Sequence, residues 1–120
     1  MENHRLVLPG DLNQYGFLFG GTLLAWVDEA CWIAASLDFP GCHFVTVAMD
    51  RVEFRQSVRE GTILTIRSEM HKQGETSVTY AVEVLDRYGV DHPIFATNIT
   101  FVRVDEHGRK LPLSAGGGDS

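Results

Sequence analysis

The sequence has 120 residues, 44% of them hydrophobic and 10% aromatic, and a net charge of −6 with histidines neutral. That length suits one domain with a real core and is too short for two. The composition argues against disorder, and the acidic balance argues against a general nucleic-acid binder, which would show a clustered basic face.

Two cysteines, Cys31 and Cys42, make neither a disulfide framework nor a zinc site, and they read as buried, reduced thiols. The start, "MENHRLVLPGD", is charged and poor in apolar residues, unlike a signal peptide. No apolar run approaches the length needed to span a bilayer. The expectation is a soluble, cytoplasmic protein with no membrane or nucleic-acid partner and no metal.

A short extended start leads into "VLPGDLNQYG", where Pro9, Gly10, Asp11, Asn13 and Gly16 predict a loop. From about Gly20 to Leu37 the pattern is helical. Leu23, Leu24, Trp26, Val27, Ala30, Cys31, Ile33 and Ala34 cover nearly every side of the wheel, so the helix should be enclosed and not merely docked. Pro40 and Gly41 end it. "HFVTVAMDRVEF" predicts a strand, and "GTILTIRSEM" predicts a second after Gly61. "KQGET" is a turn. "SVTYAVEVL" is a third strand, with Val78, Tyr80, Val82 and Val84 on one face. "DRYGVDHP" is a turn and "IFATNITFVRV" the last strand, ending at "DEHG". The domain is expected to cover residues 1–113, with 114–120 a flexible tail.

Strands joined largely by hairpins imply an antiparallel sheet, and one helix on one sheet gives an α+β domain in two layers. One sheet cannot enclose a helix that is apolar all round. Either the sheet curls around the helix or a second copy covers the rest. The open sheet edge also invites pairing, so an oligomer is expected.

Asp28 and Glu29 stand in the middle of this apolar helix. Neighbouring helical residues diverge by about 100°. Asp28 shares a face with Leu24, Cys31 and Ala35, while Glu29 shares another with Ala25 and Trp32. A structural carboxylate here would pair with an arginine or hold local polar groups. The paired glycines, Gly20 and Gly21, open the helix. Free N–H groups and the positive dipole end favour developing negative charge there, and glycines let a ligand approach the backbone.

Four stretches, "LPGDLNQYGFLFGG", "GGTLLAWVDEA", "VEFRQSVREGT" and "KQGETSV", resemble the hotdog-fold acyl-CoA thioesterases. The resemblance is to the acyl-CoA hydrolase branch that includes YciA-type and brain-type cytosolic enzymes. It covers about Leu8 to Val104 and implies a sheet wrapped around one long helix. It also implies dimers joined sheet edge to sheet edge, assembling further into tetramers or hexamers. The implied substrate is acyl-CoA, so coenzyme A is part of the substrate and no cofactor is expected.

The resemblance places the catalytic acid at Asp28, as general base or transient nucleophile, with Asn13 acting across the dimer interface on water or on the thioester oxygen. Taken alone, Asn13 is an ordinary Asx-turn residue. Gly20 and Gly21 become the oxyanion site, with the Gly21 N–H the leading donor. Arg55, Arg59 and Lys72 are candidates for the CoA phosphates, and Thr46, Thr76 and Ser77 for the pantetheine amides. Two rival readings are a non-catalytic acyl-CoA-binding or regulatory module, and a hydratase or dehydratase. The latter chemistry usually pairs a His with an acid, and none of the five histidines lies in the Asn13 loop or on the helix.

Overall fold

The computed structural model describes residues 1–87 and 92–114. The elements are β1 (Glu2–Leu6), α1 (Gly20–Asp38), β2 (His43–Phe54), β3 (Ile63–Gln73), β4 (Ser77–Asp86) and β5 (Phe95–Val104), with one 3-10 turn at Pro9–Asp11 in the predicted loop. Strand β3 runs three residues past its predicted end, so the turn into β4 is tighter than "KQGET". The turn predicted between β4 and β5 lies partly outside the described residues, as does the predicted tail beyond Ser114.

All pairings are antiparallel, in the order β1-β3-β4-β5-β2. Hairpins join β3 to β4 and β4 to β5, as expected. The connection from β2 to β3 is not a hairpin. It crosses from one edge of the sheet to β3 on the far side, about three strand spacings or roughly 14 Å. Residues 55–62, with an extended reach of about 26 Å, cover that distance. The crossing segment is pinned on the way: Leu18 N–H donates to the Val58 carbonyl at 2.7 Å, and Gly61 N–H to that of Val7 at 2.8 Å. It therefore closes over the end of the sheet where the helix begins, which makes one wall of the cleft described below.

The helix lies on the sheet through Leu23, Trp26, Val27, Ala30, Cys31, Ala34 and Ala35. Facing it are Val78, Tyr80, Val82 and Val84, 0–3% exposed, which is the face the alternation predicts. Phe95, Ile99 and Phe101 of β5 and Leu64 and Ile66 of β3 complete the core. The chain's own sheet does not enclose the helix. Trp32 remains 43% exposed, beside the β2 edge strand whose Val45, Val47, Val52 and Phe54 are also exposed, and Leu37, 65% exposed, is uncovered on the β3 side near Met1 and Met70. Two register shifts bend β2, at Thr46/Ala48 and Asp50/Glu53, and Arg51 in the second has φ of 54°.

Two buried groups tie stability to pH. Burial first, and the nearby Asp28 charge second, push the Cys31 thiol from 9.0 up to about 12. Burial first, then the hydrogen bond its hydroxyl donates to Asp38 at 2.6 Å, raise Tyr80 above its ordinary 10.0. Both hold their protons more tightly folded than unfolded. Their stabilisation is complete below the unfolded values and is lost as pH rises through 9 and 10 toward the folded ones. The urea midpoint is expected to fall above about pH 9, each group adding a slope of up to about 1.4 kcal/mol per pH unit. Tyr80→Phe should decline less steeply. A midpoint that is flat into the alkaline range would contradict this account.

Candidate functional site

The site begins where α1 begins. Phe19 caps the helix in extended conformation, φ −69° and ψ 130°, with no side-chain cap and no acid in the first turn. The first helical amides with partners are those of Thr22 and Leu23, which both donate to the Phe19 carbonyl, at 3.0 and 3.1 Å. The Gly20 and Gly21 amides precede them, at the positive end of the dipole, and no acceptor among the described residues engages them.

A side chain at either position would be tight against an aromatic ring. A Cβ on Gly20 would sit 3.3 Å from the ring tip of Phe54, and one on Gly21 would sit 2.9 Å from the Phe19 ring. The two rings, each about half exposed, flank the helix start. Gly20 opens on a cleft of about 530 Å³. One wall is apolar, from Leu18, Leu23, Phe54 and Val58. The rim is polar, from Asn13, Arg55, Gln56 and Ser57. The structure thus brings Asn13, Gly20 and Arg55 together.

The Asn13 side chain is part of its own turn. Its Oδ1 accepts from the Tyr15 N–H at 2.9 Å and the Phe17 N–H at 3.1 Å. These contacts fix the amide and leave its NH₂ group without a partner among the described residues, so it can donate toward the cleft.

Asp28 is not in the same cleft. Eight residues separate it from Gly20, about 12 Å along the axis, and it does not line the cleft wall. It sits half-buried beside the β2 edge and accepts a hydrogen bond from Thr46 Oγ1 at 2.7 Å. Glu29 behaves differently. It is exposed and pairs with Arg5 at 2.8 Å, and that guanidinium stacks over the Trp26 ring at 5.0 Å. Of the two acids, Glu29 is the one held by an arginine, while Asp28 has one hydroxyl and a face toward the uncovered edge.

The candidate cations and hydroxyls separate into groups. Arg55 is at the cleft rim, paired with Glu53 at 3.1 Å. Arg59 lies over the ring of Phe17, a cleft residue, at 5.1 Å. Thr46 serves Asp28. Lys72, Thr76 and Ser77 are at the β3–β4 turn, where Ser77 pairs with Val102, at the opposite end of the sheet from Gly20. Sequence reasoning missed Phe54, Gln56 and Ser57 as cleft residues. The end of β2 and its crossing to β3 put them there, and nothing local in "EFRQSV" signals it. Among the described residues no cluster of three or more His, Cys, Asp or Glu is placed to hold a metal. No helix of the described residues is long and apolar enough to cross a membrane.

Comparison with known proteins finds thioesterases of the same fold. An uncharacterised acyl-CoA thioester hydrolase of Haemophilus influenzae is 31% identical over 118 residues, covering 90% of this chain and 73% of that protein. A hexameric hotdog-fold thioesterase of Campylobacter jejuni superposes with a TM-score of 0.82 at 33% identity, over 93% of this chain and 88% of that one. An acyl-CoA hydrolase of Staphylococcus aureus, solved with coenzyme A as an Asn-to-Ala variant, superposes with a TM-score of 0.83 at 27% identity, over 93% of this chain and 68% of that one; an Asp-to-Ala variant has also been solved. The chain spans 30% of the length of the human cytosolic acyl coenzyme A thioester hydrolase, to which it is 28% identical over 113 residues. The fold is the hotdog fold, a five-stranded antiparallel sheet on one long helix. The thioesterase superfamily model matches residues 15–91, well over half of the sequence, and the chain belongs to that superfamily.

Proposed function

We propose that the chain hydrolyses acyl-CoA to a free acid and CoA. The observation that carries this is the helix start: two unengaged glycine amides, one opening on a cleft beside Asn13, at the positive end of a helix whose interior holds Asp28. A thioester carbonyl seated on those amides gains donors where its oxyanion develops. The Asn13 NH₂ group orients water or the carbonyl. Asp28 takes the water's proton or attacks the carbonyl carbon itself, and Thr46 fixes its carboxylate.

Within one chain Asp28 is too far along the helix to serve the cleft at Gly20, so the reading requires a second copy. Exposed β2 residues and the uncovered Trp32 beside them support an edge-to-edge dimer that sets Asp28 of one copy beside Asn13 of the other. Further assembly to a hexamer follows the Campylobacter neighbour. The variants solved for the Staphylococcus hydrolase are an Asn and an Asp with the same sequence separation as Asn13 and Asp28, which supports the pairing. Arg55 and Arg59 are the preferred cations for the CoA phosphates. Lys72, Thr76 and Ser77 reach substrate only if the second copy brings that end of the sheet to the cleft. A cytoplasmic setting completes the reading.

The test is release of free thiol from a panel of acyl-CoAs, short to long, followed with a thiol reagent. Burial of Cys31 and Cys42 keeps the protein's own thiols from contributing. Saturable release supports the proposal. Tight binding with no release would make the chain a binding module instead. A second measurement bears on the amides. In Gly21→Val the new side chain displaces the half-exposed Phe19 ring and crowds the donor. At least a tenfold fall in kcat is expected, the Gly20 amide still acting. Unchanged kcat in the folded variant would remove Gly21 from the mechanism.

A further inference from the structure

The apolar wall of the cleft is not uniform. Phe54 Cζ and Cε1 are each 3.3 Å from where a Cβ on Gly20 would stand, so the ring tip bounds the space on that side of the first helical residue. The ring is anchored behind by Phe95, with centroids 5.1 Å apart and planes tilted by 58°. Phe95 is fully buried, so the ring has a fixed support on that side. Leu23 and Val58 line the same cleft.

This places a supported aromatic edge directly beside the amides at which a thioester carbonyl is seated. The carbon atoms next to that carbonyl are then the ones the ring meets. A straight chain presents a single CH₂ there and passes the ring. A branch or an aromatic ring on the α-carbon needs width that the Phe54–Gly20 approach does not leave, and interiors resist such overpacking. We infer that Phe54 selects the width of the acyl group at its α-carbon and admits straight-chain thioesters in preference to α-branched ones. This rests on the proposed acyl-CoA reading and goes beyond it, because it names the residue and the feature of the substrate that it reads.

The test compares butyryl-CoA with isobutyryl-CoA, which have the same atoms and differ only in branching. The wild-type chain should prefer butyryl-CoA by at least about tenfold in kcat/KM, the range that one misplaced methyl group commands in a pocket. Phe54→Ala should bring the ratio close to one, with the gain in kcat/KM for isobutyryl-CoA. Phe54→Leu, which keeps an apolar contact with Phe95, should fall between. An unchanged ratio in folded Phe54→Ala or Phe54→Leu overturns the inference. So does an equal loss on both thioesters in both variants, which would make Phe54 a support for the helix start. A wild-type chain that releases thiol readily from both isomers also overturns it, while leaving the thioesterase reading intact. A wild-type chain that releases thiol from no acyl-CoA defeats the thioesterase reading itself.

Discussion

Asp28→Asn is expected to lower kcat by about two orders of magnitude or more while the fold is retained. The substitution keeps volume, and the Asn carbonyl still accepts the Thr46 hydroxyl that the carboxylate accepts at 2.7 Å. What is lost is the charge and the capacity to take a proton or attack a carbonyl. Removing the hydroxyl with Thr46→Val should cost less, about tenfold, since the acid remains and only its orientation loosens. Glu29→Gln serves as the control. That carboxylate is on another face, exposed, and paired with Arg5. Exposed pairs contribute about 0–1 kcal/mol, so both turnover and stability should change little. Steady-state thiol release decides it. Full turnover in Asp28→Asn together with an inactive Glu29→Gln would show that the wrong acid had been assigned.

The contrast between these two acids also marks how far the sequence could be read. Wheel geometry alone shows that Asp28 and Glu29 point differently. It does not show which one finds an arginine, because Arg5 lies on an edge strand 24 residues earlier in the chain. Helix and strand positions were legible because their periods are local: the Val78–Val84 alternation is the buried face of β4, and α1 starts at the paired glycines as expected. Topology was less legible. The rule that successive strands pair holds for β3, β4 and β5 and fails for β2, whose partner is β5. The end of β2 and that crossing together carry Phe54 through Val58 to the helix start, so the cleft could not be assembled from local pattern. The same limit applies to Lys72, Thr76 and Ser77. They have suitable chemistry beside a turn, but the turn is at the far end of the sheet.

Mixing two inactive variants should restore activity. Asn13→Ala removes the amide at the cleft, and Asp28→Ala removes the acid beside the β2 edge; each is expected to be nearly inactive alone. In one chain these residues belong to separate places, Asn13 with Gly20 in the cleft and Asp28 about 12 Å further along the helix. In the proposed two-fold dimer, pairing of β2 edges would run the two helices in opposite directions and bring each cleft to the other copy's acid. A mixed dimer then contains one site lacking both groups and one site with both native residues. Dissociation and random reassociation of equal amounts should therefore restore about a quarter of all sites, since half of the dimers are mixed and each has one good site. Thiol release rising from near zero to about 25% of the wild-type rate is the expected result. Tagged copies purified as heterodimers should reach about half. If verified heterodimers recover nothing, Asn13 and Asp28 act within one chain, or one of them takes no part in the reaction. The 12 Å separation along the helix makes the first of those alternatives hard to reconcile with a rigid α1, so failure would weigh chiefly against Asn13, whose Oδ1 is already committed to its own turn.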